Sequence, residues 1–167
     1  MVILGLLLGG WFTATIPAAY GAAPACDSAP YRAFDFWVGS WEVTVPDGRP
    51  AGSNVIERAQ GGCLLLERWR GNDGTTGTSM NVYDPAAGQW RQLWVSPGTL
   101  IDIAGGLRDG NMVLEGTITY FEGPRTLPFR GTWTPLEDGR VRQFFEQADA
   151  DGAWTPWFDG IYARTGG

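Results

Sequence analysis

The sequence predicts an all-β protein, an antiparallel up-and-down β-barrel of about ten strands with a short N-terminal helical plug. Three observations lead there. From Ser40 onward, strand-like runs alternate with turn signals at intervals of roughly ten residues, the spacing of a meander rather than of βαβ units. The 25 glycines, 11 prolines and 9 tryptophans in 167 residues suit short strands joined by tight turns. Beyond the brief segment 30–37, no stretch sustains a helical apolar period.

Residues 2–25 are apolar and uncharged, with Leu6-Leu7-Leu8 at the centre and small residues such as Ala18, Ala19, Ala22 and Ala23 near the end. They read as a secretory signal peptide over 1–25, although no Lys or Arg precedes the apolar run. An uncleaved N-terminal anchor is the alternative. Residues 26–167 then form one barrel domain, periplasmic or secreted, with no membrane insertion after signal cleavage. Cys26 and Cys63 are the two cysteines, and in an exported chain an even pair reads first as a disulfide. The alternatives are a buried thiol at Cys63 with Cys26 free, or lipidated at the box-like Ala23-Pro24-Ala25-Cys26.

Phe34-Asp35-Phe36-Trp37-Val38-Gly39-Ser40-Trp41 runs from the plug into the first strand. A glycine there permits a backbone bend that a Cβ would resist, after which Trp41, Val43 and Val45 share one pleat face. The strands expected are 40–46, 53–60, 63–70, 77–84, 89–96, 99–105, 111–120, 126–134, 140–148 and 155–164. Asn72-Asp73-Gly74, Asp109-Gly110, Asp138-Gly139 and similar pairs supply turn conformations between them. Gly61-Gly62 and Gly105-Gly106 read as turn or bend glycines, and Asp149-Ala150-Asp151-Gly152 as a plain hairpin turn rather than a calcium loop. Trp90-Arg91-Gln92-Leu93-Trp94 and Val141-Arg142-Gln143-Phe144-Phe145 share an Arg-Gln pattern that sends glutamine to one face and arginine to the other.

Composition excludes several chemistries. There is no histidine, which removes His-ligated haem, the usual zinc sites and His-based nucleophilic catalysis. All 12 basic residues are arginine and the net charge is −6, so nucleic acid would meet general repulsion. Neither a cofactor nor a metal site is expected.

At the Phe34–Trp41 segment, together with Gly62-Cys63, Glu67-Arg68-Trp69, Asn81-Val82-Tyr83-Asp84-Pro85, Trp90-Arg91-Gln92, Trp133-Thr134-Pro135, Asp138-Gly139-Arg140-Val141-Arg142-Gln143 and Phe158-Asp159-Gly160-Ile161-Tyr162, the chain resembles a family of uncharacterised exported bacterial barrels of lipocalin-like, or calycin, type. The resemblance implies a fold and no reaction. Gly39-Ser40-Trp41 is also similar to the Gly-x-Trp opening of lipocalins, whose tryptophan packs under an arginine from the closing strand; Arg164 is the matching residue, making Trp41 and Arg164 a structural latch.

If the barrel closes, period-two alternation places Glu67, Trp69, Asn81, Tyr83, Gln92, Trp94, Trp133, Gln143, Phe145 and Asp159 toward the lumen as candidate ligand-binding residues, with Leu65, Ser79, Trp90, Val141 and Trp157 beside them. Aromatic area with a few amides and acids suits a small apolar or amphipathic ligand. The first functional expectation is therefore an exported small-molecule-binding barrel. A second is a barrel lyase or isomerase using a buried Glu67 and Tyr83 as acid and base. A third is an envelope structural or interaction protein with a packed lumen.

Overall fold

The computed structural model describes residues 26–165; the signal peptide or anchor expected over 1–25 lies outside the described residues. A helical turn, α1 (Ala29–Arg32), and a 3₁₀ turn, Asp35–Trp37, precede ten strands. These are β1 (Gly39–Thr44), β2 (Pro50–Ala59), β3 (Leu64–Gly71), β4 (Thr76–Asp84), β5 (Gln89–Ser96), β6 (Thr99–Arg108), β7 (Asn111–Tyr120), β8 (Arg125–Pro135), β9 (Val141–Ala148) and β10 (Trp154–Arg164). Each pairs antiparallel with its neighbours in sequence, and β10 returns to β1, so the sheet closes into a barrel with no free edge.

Closure is fixed at one register, with Trp41 opposite Arg164 and Val43 opposite Tyr162. The Arg164 guanidinium lies 4.2 Å from the Trp41 ring centroid and donates to the carbonyls of Val38 (2.9 Å) and Phe36 (3.4 Å). The Trp41 indole N–H donates to the Trp37 carbonyl at 2.9 Å. Gly39 has φ +147°, and a Cβ there would collide with the Arg164 guanidinium. The glycine is thus required twice, for backbone conformation and for room under the latch.

The plug closes one end. Phe34 and Trp37 stack at 5.0 Å, and Phe34 meets Trp133 and Trp90 edge-on at 5.1 and 5.6 Å. The Trp90 indole N–H donates to the Pro30 carbonyl, and Arg58 donates to the Tyr31 and Gly62 carbonyls while pairing with Asp35. A disulfide joins Cys26 to Cys63, tying the segment ahead of α1 to the start of β3. A disulfide is consistent with an oxidising, exported compartment.

Two expectations change. Gly105 and Gly106 lie inside β6, where Gly105 pairs with Trp90 and Leu114, rather than at a strand end. A bulge in β10 shifts register between Pro156 and Phe158. The extra residue lets Trp157 and Phe158 both line the interior, so every later side chain moves to the opposite face from the one strict alternation gives. Asp159 consequently lies outside the lumen, bonded to Arg142 through two contacts of 2.9 and 2.8 Å. At Asp149 the expected hairpin turn is present, the carboxylate accepting the N–H groups of Asp151 and Ala153.

Removing the latch isolates its worth. Arg164→Ala deletes a cation–π contact and two hydrogen bonds at the seam and is expected to lower unfolding free energy by about 1–3 kcal/mol in urea titration. An unchanged midpoint would mean that β1–β10 pairing needs no side-chain fastening.

Candidate functional site

Alternation sorts the interior into three levels. Phe34, Trp37, Trp90 and Trp133 fill the plugged end. Across the middle, on the side formed by β2–β5, β9 and β10, runs a polar belt of Asn54, Glu67, Ser79, Asn81, Gln92, Gln143 and Tyr162, all buried. Beyond the belt, toward the unplugged end, lies a cavity of about 260 Å³ walled by Trp69, Trp94, Phe145, Trp157 and Phe158. Glu67, Gln143 and Tyr162 contribute to it from the belt, and Asp73 and Thr75 of the β3–β4 turn stand at its rim.

The aromatic walls lie against the barrel because the backbone beneath them has no side chains. A Cβ on Gly77 would overlap the Trp94 ring, one on Gly131 the Phe145 ring and one on Gly160 the Phe158 ring, while one on Gly52 would meet the Arg70 backbone carbonyl first and then the Trp69 ring. Glycine under an aromatic ring stabilises a strand position that is otherwise weak. It also leaves the barrel axis open. Trp157 is held at the mouth by donating from its indole N–H to the Tyr120 hydroxyl at 3.1 Å, which itself donates to Gln147 at 2.6 Å.

Within the belt, hydrogen bonds converge on one carboxyl group. Gln92 donates to Asn81 (2.8 Å), Asn81 to the Ser79 hydroxyl (2.7 Å) and Ser79 to Glu67 Oε2 (2.5 Å). Asn54 donates to Glu67 Oε1 at 2.7 Å from the other side and lies 3.4 Å from the Tyr162 hydroxyl. Glu67 is 2% exposed. Burial pushes its carboxyl from 4.5 up to about 7, against the opposing effect of the Ser79 and Asn54 hydrogen bonds. Burial, and secondarily the Glu67 charge, raises the Tyr162 phenol well above its ordinary value, so it remains a neutral hydroxyl.

Of the candidate ligand-binding residues, the structure gathers Glu67, Trp69, Trp94, Gln143 and Phe145 around the cavity. Asn81 and Gln92 stand behind Glu67 as its hydrogen-bond chain. Trp133 belongs to the plugged end, as does Tyr83, which meets Tyr31 at 5.0 Å. Asp159 is on the outer face. Glu67 sits opposite Ser79, and Tyr83 is four residues farther along β4, about 13 Å at the usual rise of ~3.3 Å per residue. The proposed acid–base pair is therefore not assembled. The structure adds Asn54 and Tyr162 to the site, and both carry a signal in the sequence: Asn54 shares a face with Ile56, and Tyr162 lies two residues before the latch arginine, hence on the same face.

No family model matches the chain, and no curated protein matches it.

The raised carboxyl makes stability depend on pH in a defined direction. Between about pH 4.5 and 7 the folded chain holds a proton on Glu67 that the unfolded chain has released, so stability falls as pH rises and levels off above 7. The fall is about 3 kcal/mol between pH 4.5 and 8. Urea unfolding across this range should show it, and Glu67→Gln should abolish it; a wild-type profile that is flat or rising would overturn the assignment.

Proposed function

We propose that this protein is an exported binding barrel that holds one small apolar or amphipathic molecule in its unplugged half. The observation that carries the reading is the composition of the cavity: five aromatic side chains set against the wall, with a few polar groups gathered toward the belt. Apolar area supplies affinity in such a site and sparse polar groups supply orientation. Two of those polar atoms, the Trp94 indole nitrogen and the Gln143 side-chain oxygen, are buried without a protein partner. An unsatisfied buried polar atom costs about 1–3 kcal/mol, and both residues belong to the cavity lining.

The volume supports a compact ligand. A dry cavity of about 150 Å³ accepts benzene, so the 260 Å³ here suits one ring with a short substituent. The interaction alternative called for a packed lumen, and the cavity favours binding over it. Lipocalin-like ancestry is part of the same proposal, supported by the Gly39-Ser40-Trp41 opening under Arg164, although the strand count is ten where lipocalins have eight. Residence in the periplasm or outside the cell fits the disulfide.

Titrating the protein with a panel of one-ring and fused two-ring molecules, neutral and charged, should quench tryptophan fluorescence, because Trp69, Trp94 and Trp157 form the walls. A ligand at a hundred times its Kd adds about 2.7 kcal/mol to folding and raises Tm accordingly. Gly77→Ala drives the Trp94 ring toward the axis and should weaken every such ligand by tenfold or more. Neither quenching nor a Tm shift across the panel would overturn the reading.

A further inference from the structure

We propose that the cavity selects a protonated amine: a primary or secondary ammonium on a single aromatic or apolar ring, carrying no carboxylate, with the ammonium against Glu67 and Tyr162 and the ring among Trp69, Trp94 and Phe158. This rests on the binding reading above and names its ligand class.

The charges around the cavity point one way. Glu67 and Asp73 are its ionisable acids, and none of the 12 arginines lines it. Arg91, Arg130 and Arg142 are engaged outside with Asp102, Glu146 and Asp159. A bound carboxylate or phosphate would therefore meet negative charge and no counter-ion. Aromatic faces carry the negative end of the ring quadrupole, so the walls also favour a cation.

Hydrogen-bond capacity agrees. Both neighbours of the Glu67 carboxyl donate to it, Asn54 to one oxygen and Ser79 to the other. A carboxylate has about four lone-pair sites, so roughly two remain. The Tyr162 hydroxyl adds a further oxygen to the lining. An ammonium carries donors without acceptors and so complements the Glu67 and Tyr162 oxygens, while the Trp94 indole N–H, itself a donor, takes no part in holding it. A neutral alcohol could donate to the same oxygens, so the preference for an amine over an alcohol rests on charge at Glu67 and on the aromatic faces, and a carboxylate would oppose both.

The groups facing Glu67 leave it as the site's titrating member near neutrality. Asn54 on β2 and Ser79 on β4, which bond to it, do not ionise, nor do the lining residues Trp94 on β5 and Gln143 on β9. Tyr162 on β10 stays neutral, and Asp73 is held below the usual carboxylate range by its bonds to Thr75. Amine binding then draws Glu67 into its ionised form and releases a proton to buffer when the site begins protonated.

Four probes that share a ring separate the possibilities in calorimetry and fluorescence titration at pH 7.5: phenethylamine, 2-phenylethanol, phenylalanine and ethylbenzene. The expected result is that phenethylamine binds at least tenfold more tightly than the alcohol or the amino acid. Its affinity should fall by up to tenfold per pH unit below about 7, while that of 2-phenylethanol stays flat. Glu67→Gln should bring the affinity for phenethylamine down to that for 2-phenylethanol or below and remove its dependence on pH. The pH profile of the wild-type chain decides the matter alone if that variant does not fold. Equal binding of amine, alcohol and ethylbenzene, or an amine affinity indifferent to pH, would overturn the amine inference while leaving the container intact. Failure of all four probes, along with the wider panel, would remove both.

Discussion

The seam where β10 meets β1 determines what every other side chain does. Period-two alternation assigns faces only relative to a fixed register, and a slip of one residue exchanges lumen for solvent along a whole strand. At this seam the register is marked by Arg164 lying over Trp41, with Trp41 in turn bonded to the plug through Trp37. One guanidinium thus joins the last strand, the first strand and the segment that closes the barrel end. The β10 bulge is the geometric complement of this fastening. It allows Tyr162 to face inward opposite Val43 while Trp157, an odd number of residues away, also faces the cavity.

Once the tube is closed, its two ends differ because the residues supplied to them differ in volume. The plugged end receives Phe34 and Trp37 in addition to the strand-borne Trp90 and Trp133, and these rings pack at centroid distances near those of aromatic pairs in protein cores. The other end receives aromatic side chains paired with glycines. Had Gly77, Gly131 and Gly160 been alanine or larger, the rings above them would be driven off the wall toward the axis. With glycine beneath, they flatten against the wall, and wall area is exchanged for enclosed volume.

Much of this was legible in the residues. The ten strands, the plug, the interior glutamines and the latch follow from alternation, from turn residues and from the Gly-x-Trp opening, because each rests on local chemistry. Asp159 was harder to place: Pro156 in a barrel without edge strands signals a bulge, yet Pro128 sits in β8 with no register shift, so the proline alone does not fix which later side chains change face. Tyr83 illustrates a different limit. Alternation correctly turns it inward, yet face alone does not say how far along the axis a side chain stands, and pairing of Glu67 with Ser79 puts Tyr83 at the plugged end. Tyr162 turns inward through the same bulge that sends Asp159 out, and Asn54 joins the belt from β2, far in sequence from Gln92 and Gln143. A belt around a barrel is assembled from strands remote in sequence, so its members show no common spacing.

Stability alone does not account for the belt. Apolar residues of similar volume would remove the desolvation of Glu67 and the unpartnered atoms of Asn54, Gln92 and Gln143, and such replacements of buried polar groups are commonly neutral or stabilising. The opposite side of the same lumen shows that this barrel can be filled that way, since Ile101, Ile103, Met112, Leu114, Ile118 and Phe129 pack there without polar atoms on their side chains. The polar side is also ordered in direction: Gln92, Asn81 and Ser79 donate in sequence toward Glu67, and Asn54 donates from the other flank. A chain of donors ending on one carboxyl stabilises negative charge at that point and nowhere else in the lumen. The fold therefore maintains, against its own stability, a place where charge can form beside an aromatic-walled space.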